Sequence, residues 1–164
     1  MVIDMKIPFN KPAIGPSEIN PVIEVLESGW LIHGKYSSRF EEEFCKLTGC
    51  KHAVILSNCT AGLHLSLMAM DIRIGDEVII PAQTHVATAH AVELLKATPI
   101  FVDVDKITGN ITAESIAAAI TERTKGVIVV HMSGISCEMD EIISLANQRG
   151  LFIIEDCAHA LGTY

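Results

Sequence analysis

Acidic residues and a histidine follow an apolar run near the C-terminal end of the sequence. The apolar residues 151–154 precede Glu155 and Asp156, and His159 comes three positions later. A carboxylate buried at the end of a strand is costly unless a cation or a hydrogen-bond donor meets it, so we expect a charged group to approach Asp156. A metal bound by Asp156, His159 and His131 is the alternative. These three residues lack the close spacing of a metal-binding motif, and we predict no metal site.

A second candidate site is the segment 57–62, Ser-Asn-Cys-Thr-Ala-Gly, which follows another apolar run. A strand that leads through small residues into a helix presents free N–H groups, a hydroxyl and the positive end of the helix dipole, which together suit a phosphate. The segment is not a P-loop, because no Gly-Lys-Ser/Thr follows it. A helix cap with small residues for packing is the alternative interpretation of these residues alone.

Histidines follow two further apolar runs. His85 comes after the run that ends at Pro81, and His131 ends a β-branched run. Ligands of open parallel sheets bind beyond the carboxyl ends of the strands, so both histidines are candidates for a binding site. A hydrogen-bonded structural histidine is the alternative for each. Asp103 and Asp105 are interpreted as residues that cap a turn.

The hydrophobic pattern predicts the scaffold that brings these strand ends together. Short apolar runs alternate with helix-like segments from residue 51 onward, which is typical of a mostly parallel sheet covered on both faces. The predicted fold class is therefore three-layer α/β/α. The predicted strands are 53–56, 77–80, 99–104, 126–131 and 151–154, and the predicted helices are 60–70, 84–95, 113–121 and one that contains residues 139–146.

Two helices are predicted before this alternating portion. Ser17 caps the first, which runs to about Ser28, and Gly49 ends the second, which places Phe40 and Phe44 on one face. We expect one domain over residues 1–164, with an N-terminal helical segment at 1–50 and the alternating portion at 51–164.

The composition excludes several classes of protein. With 12 Lys+Arg against 20 Asp+Glu, the formal net charge is -8, and no basic cluster offers a surface for nucleic acid. The N-terminus lacks the apolar core of a signal peptide, and no apolar run is long enough to cross a bilayer. We expect a soluble, cytoplasmic protein without a nucleic-acid or membrane partner. The 5 cysteines include no C-x-x-C pair, and we expect reduced thiols that are mostly small core residues.

A series of short motifs follows one order along nearly the whole chain. They are Ser28-Gly29-Trp30, Phe40 to Phe44, Asn58 to Leu65, Gly75 to Pro81, Gln83 to Thr88, Phe101 to Asp105, Val130-His131 and Ile154 to Gly162. In this order they resemble the DegT/StrS-type sugar aminotransferases, which are pyridoxal-phosphate (PLP) enzymes of fold type I. Several motifs in one order are more specific than any one of them. The resemblance implies that the chain is the N-terminal part of a PLP-binding large domain.

The resemblance also implies roles for five residues. Thr60 and Ala61 match the contact to the cofactor phosphate, and His85 matches the ring that stacks on the pyridine. Asp156 matches the acid that pairs with the pyridine nitrogen, where a carboxylate keeps the ring protonated and electron-withdrawing. His159 occupies a position beside the cofactor hydroxyl. Cys59 is a departure, because the family frequently has glycine at that position.

A catalytic lysine is expected from the resemblance but not found. The family holds its cofactor as a Schiff base on a lysine that follows the aspartate motif by a few tens of residues, and none of the eight lysines here lies at such a position. We therefore expect a fragment that lacks the Schiff-base lysine. A relative that replaces the lysine with histidine and performs dehydration is an alternative, because the deciding position is absent.

The function implied for the intact protein is transfer of an amino group, with glutamate as donor, to a keto group of a nucleotide-linked sugar. The resemblance also implies a homodimer with active sites at the subunit interface. A remnant or interaction module of the same fold without turnover is the alternative. A generic nucleotide-binding domain is a third interpretation, but no G-x-G-x-x-G motif follows the first predicted strand.

Overall fold

The computed structural model describes residues 11–163 and contains one sheet of four parallel strands. In chain order the strands are β1 (Glu77–Pro81), β2 (Thr98–Val102), β3 (Thr124–Val130) and β4 (Phe152–Asp156). Their order across the sheet is β2-β1-β3-β4, and each neighbouring pair is parallel. The carboxyl ends of all four strands therefore lie at the same edge of the sheet, which confirms the predicted parallel arrangement.

The described residues also form six α-helices. They are α1 (Pro16–Ser28), α2 (Lys35–Thr48), α3 (Cys59–Ala69), α4 (Val86–Glu93), α5 (Ala113–Ala119) and α6 (Met139–Arg149). Thr112 caps α5, and its hydroxyl accepts a hydrogen bond from Ser115 N at 3.2 Å. Helix α4 is shorter than predicted, because His85 caps it and Thr84 lies outside it.

Helices cover both faces of the sheet and bury the β-branched strand residues. Side chains alternate along a strand, so Val78 and Ile80 face one side of the sheet while Ile79 faces the other. On the first side α3 and α4 supply Leu63, Leu67, Ala91 and Val92, and on the second side α5 and α6 supply Ile116 and Ile142. The three-layer α/β/α architecture is confirmed. In β4 the same alternation places Ile154 toward α3 and α4, and Ile153 toward α5 and α6.

The chain forms two compact units, of which one ends at Ile55 and the other begins at Leu56. The first unit contains α1 and α2, and each ends at a glycine with left-handed backbone, Gly29 (φ 68) and Gly49 (φ 74). Both helix ends agree with the prediction. The predicted start of α1 is wrong by two residues, because Gly15 caps the helix and its N–H donates to the Glu18 carboxylate at 2.6 Å.

The prediction of a strand at 53–56 is wrong. No strand forms there, because no described strand pairs with this segment. The N–H of Ile55 instead donates to Glu41 Oε1 at 2.9 Å. An apolar run meets the side-chain requirement of a buried strand, but the backbone also needs a partner.

The cysteines are less buried than predicted. All five are free thiols, as expected, but only Cys137 is buried, and Cys45 is half-buried while the others are exposed. Cys50 and Cys157 lie in connecting segments, and Cys59 is the first residue of α3. Among the described residues, no helix has the length and hydropathy of a membrane span.

Candidate functional site

A cavity of about 400 Å³ lies where β3 and β4 end and where α3 and α4 begin. Four of the five residues predicted to bind a cofactor line it, namely Thr60, His85, Asp156 and His159. Ala61 does not. The other lining residues are Asn58, Cys59, Leu63, Thr84, Ala87, Val130, His131, Met132 and Ala158. The parallel sheet thus gathers residues that are far apart in sequence at one edge.

Asp156 is the last residue of β4, and only one of its two carboxylate oxygens accepts hydrogen bonds from described residues. The residue is 8% exposed. Its Oδ1 accepts hydrogen bonds from the N–H of Ala158 at 3.1 Å and from the Cys59 thiol at 3.5 Å. Within residues 11–163, no group donates to Oδ2. Because no buried side-chain oxygen of the described residues lacks a partner, Oδ2 is accessible from the cavity. It is an acceptor for a ligand N–H group, and it fits a protonated pyridine nitrogen.

The Cys59 thiol is a second contact to this carboxylate, from the first residue of α3. Burial raises the pKa of the Cys59 thiol, and the nearby charge of Asp156 raises it further. The thiol therefore stays protonated at neutral pH and can donate. In the sequence, Cys59 is only a departure from the family pattern, and no local signal indicates this contact.

The N-terminus of α3 keeps part of its donor capacity free. Asn58 caps the helix, and its side-chain oxygen accepts from the N–H of Ala61 at 2.8 Å. The N–H groups of Cys59 and Thr60 donate to no residue in the part of the chain that the structure describes. These two donors and the Thr60 hydroxyl fit an anionic group at the helix N-terminus. The N–H of Ala61 already donates to Asn58, so the contact of Ala61 with a cofactor phosphate stays a prediction.

His85 caps α4 with its ring. Its Nδ1 accepts a hydrogen bond from the N–H of Ala87 at 3.2 Å. In the neutral ring the proton therefore sits on Nε2, and the capping bond fixes the side chain at the edge of the cavity. The two interpretations of His85, structural and functional, are compatible, because the cap leaves the rest of the ring available to a ligand.

His131 has a structural role. It is 5% exposed, its Nδ1 accepts from the N–H of Cys137 at 3.1 Å, and its Nε2 lies 3.0 Å from Glu155 Oε2. Because Nδ1 is an acceptor, the neutral ring carries its proton on Nε2 and donates it to Glu155.

This tautomer also bears on metal binding. The ligand atoms of His131, Glu155 and Cys157 lie within 4.8 Å of one another, but a protonated Nε2 has no lone pair for a metal. The alternative set of His131, Asp156 and His159 is not brought together in the described part of the chain.

A buried amide that the sequence analysis missed holds one wall of the cavity. Asn110 is 3% exposed, accepts from the N–H of Met132 at 2.9 Å and donates to the carbonyl of Ile135 at 2.9 Å. It therefore fixes the turn that carries Met132. Asp105 caps the preceding turn, as predicted, because its Oδ1 accepts from the N–H of Thr108 at 2.8 Å.

No lysine or arginine lines the cavity among residues 11–163. The positive end of α3 and the hydrogen-bond donors at its start are the groups there that favour an anion. The described cavity therefore contains no lysine that could form a covalent bond with a carbonyl ligand.

The fold and the cavity define an α/β/α domain with a cavity at the carboxyl edge of its parallel sheet. A sequence profile of the DegT/DnrJ/EryC1/StrS aminotransferase family matches residues 12–164, and the chain belongs to this family. Aminotransferases of this family depend on PLP. Membership of this family confirms the resemblance that the order of the sequence motifs indicates.

Solved structures share both the fold and part of the sequence. An aminotransferase from Psychrobacter cryohalolentis is 43% identical with a TM-score of 0.90, and the match covers 94% of this chain and 40% of that one. A 3-amino-5-hydroxybenzoic acid synthase is 37% identical with a TM-score of 0.88, covering 92% of this chain and 40% of that one. NtdA from Bacillus subtilis, solved with bound cofactor PMP, is 34% identical with a TM-score of 0.84, covering 87% and 33%. The chain spans about 40% of the length of the first two structures.

Proposed function

We propose that this chain forms the cofactor-binding part of a PLP-dependent sugar aminotransferase. The observation that carries the proposal is the buried Asp156 carboxylate, which borders the cavity with one oxygen free of described donors. In the proposal, Asp156 accepts the N–H of the pyridine ring. When bound, the cofactor supplies a protonated ring that withdraws electrons from the reacting carbon of the substrate.

The other residues of the cavity hold and orient the cofactor in this proposal. The start of α3, with Thr60 and Ala61, binds the phosphate, and binding at Ala61 requires the Asn58 side chain to give up its hydrogen bond. His85 borders one face of the ring, and His159 lies beside the ring hydroxyl. Cys59 donates to Asp156 Oδ1, which keeps the carboxylate in place and leaves Oδ2 to the ring nitrogen.

The finer parts of the proposal concern the whole protein. The amino donor is glutamate, the acceptor is a keto group on a nucleotide-linked sugar, and the enzyme is a cytoplasmic homodimer. We further propose that the covalent lysine belongs to sequence that the longer solved structures have and this chain lacks, because no lysine borders the described cavity. The family membership and the resemblance to aminotransferase structures support these proposals.

Pyridoxamine phosphate (PMP) tests the cofactor site on the chain itself. This amine has no aldehyde, so it cannot form Schiff bases with surface lysines, and equilibrium dialysis measures its non-covalent binding. A hydrogen bond to a charged group contributes about 1.5–3 kcal/mol, so Asp156→Asn is expected to raise the Kd about ten- to a hundredfold. Asp103→Asn is the matched control, because Asp103 is an exposed aspartate just after β2 that does not line the cavity. Equal Kd values for wild type and Asp156→Asn would contradict the proposed site.

A chimera tests the reaction. Residues 12–164 of this chain replace the matching part of the Psychrobacter aminotransferase, which supplies the remaining sequence. The donor half-reaction is followed as release of 2-oxoglutarate from glutamate, which does not depend on the identity of the sugar. We expect release by the chimera and its loss in the Asp156→Ala chimera. A folded chimera that binds PMP but releases no 2-oxoglutarate would refute glutamate as donor while leaving the cofactor site standing.

A further inference from the structure

Two cysteines lie side by side at the C-terminal end of α2, in the unit that ends at Ile55. The Sγ atoms of Cys45 and Cys50 are 3.6 Å apart. Gly49 brings them together, because its left-handed backbone (φ 74) turns the chain back and its N–H donates to the carbonyl of Cys45 at 2.9 Å. The five-residue separation therefore places two thiols within van der Waals contact in the folded unit.

The two thiols differ in a way that suits thiol–disulfide exchange. Cys50 is exposed, and the neighbouring Thr48 hydroxyl lowers the pKa of its thiol. Cys45 is half-buried, and desolvation raises the pKa of its thiol. The thiolate is the attacking species in exchange, so Cys50 is the cysteine that reacts first and Cys45 is the one that follows.

We propose that Cys45 and Cys50 form a reversible dithiol–disulfide site that exchanges with a small disulfide such as oxidised glutathione. The Cys50 thiolate attacks one glutathione sulfur, forms a mixed disulfide and releases one glutathione thiolate. The Cys45 thiolate then attacks the Cys50 sulfur of the mixed disulfide and releases the second glutathione. The cysteine pair loses two electrons to the glutathione disulfide, and the two thiol protons end on the two glutathione molecules.

The geometry requires only a small movement to close this bond. A disulfide joins its sulfurs at about 2.0 Å, so the two Sγ atoms must approach by about 1.5 Å. Cys50 lies two residues beyond the last residue of α2, where the chain has left the helix, and it is exposed. Rotation of the two side chains supplies the approach without unwinding the helix interior.

The other three cysteines are poorer partners for the same exchange. Burial raises the pKa of Cys137 to about 11, and burial also raises the pKa values of Cys59 and Cys157. Each therefore offers little thiolate at neutral pH. The Cys45–Cys50 pair is expected to oxidise first.

Trypsin gives a direct readout of this disulfide, because it cleaves at Lys46, between the two cysteines. The full chain is equilibrated in buffers of increasing oxidised-to-reduced glutathione ratio, quenched with acid, alkylated and digested. The proposal expects peptides 40–46 and 47–51 joined by a disulfide, with the protein still one chain on a non-reducing gel. Dithiothreitol must separate the two peptides again.

Single variants test the order of attack. Cys45→Ser is expected to accumulate glutathione on Cys50, and Cys50→Ser is expected to leave Cys45 largely unmodified. Cys157→Ser is the matched control and is expected to keep the joined peptides. The proposal is overturned if wild-type chain keeps glutathione on Cys50 without joining the peptides, if either cysteine joins another chain or another cysteine, or if no oxidation occurs. Because the decisive result comes from the unaltered chain, a variant that fails to fold does not affect it.

Discussion

Asn110 is expected to stabilise the cavity wall through its buried amide, and Asn110→Ala removes both of its side-chain hydrogen bonds. Its partners are the N–H of Met132 and the carbonyl of Ile135, each at 2.9 Å. A net hydrogen bond contributes about 0.5–1.5 kcal/mol, and two contribute about 1–3 kcal/mol. Ile135 is 47% exposed, so water can replace part of the second bond. We therefore expect a loss of about 2 kcal/mol in the free energy of unfolding.

Thermal unfolding followed by circular dichroism measures this loss. For a chain of 164 residues, about 2 kcal/mol corresponds to a fall of about 4–8 °C in the Tm. Asn147→Ala on the exposed face of α6 is the matched control and should leave the Tm nearly unchanged. Because Met132 lines the cavity, Asn110→Ala should also weaken PMP binding. A Tm within about 1 °C of wild type would refute the reasoning that the amide fixes this wall.

Two further predictions concern stability away from the cavity. The pKa of Glu77 is lowered, first by the Thr121 hydroxyl at 2.5 Å and then by Arg123, so its contribution is present above its ordinary pKa of 4.5 and is lost as the pH falls through the lowered value. Urea unfolding between neutral pH and about pH 3 should show this loss in wild type and a smaller acid dependence in Glu77→Gln, whereas parallel pH profiles would contradict it. A Cβ on Gly126 meets the ring of Phe152, so Gly126→Ala should lower the free energy of unfolding by about 1–3 kcal/mol in urea, with partial recovery on adding Phe152→Leu. Full stability of the single variant would show that the ring moves aside freely.

Much of the sheet was predictable, because burial on both faces leaves a strong sequence pattern. The runs at 77–80 and 126–131 are apolar on successive residues, as strands of a covered parallel sheet must be. The parallel arrangement then predicts that residues after each run share one edge. That rule is why Asp156 and His85 could be assigned to one site from sequence.

The parts that could not be predicted depend on partners distant in sequence. The run at 53–56 has the composition of a strand, but strand formation requires a neighbouring backbone that a local pattern does not reveal. The contact between Cys59 and Asp156 joins residues that are 97 positions apart. The burial of Asn110 likewise depends on the turn near Met132, which no local signal connects to it.

The two buried carboxylates of the sheet show how the partners of an acid distinguish a structural role from a binding role. Glu77 begins β1 and Asp156 ends β4, so they lie at opposite edges of the sheet. Both oxygens of Glu77 are engaged, one by Arg123 and the other by Thr121, so neither lacks a protein donor. Asp156 uses a single oxygen for its described contacts. Its other oxygen is accessible and has no donor among the described residues, so it is an acceptor that a ligand can reach through the cavity at the carboxyl edge.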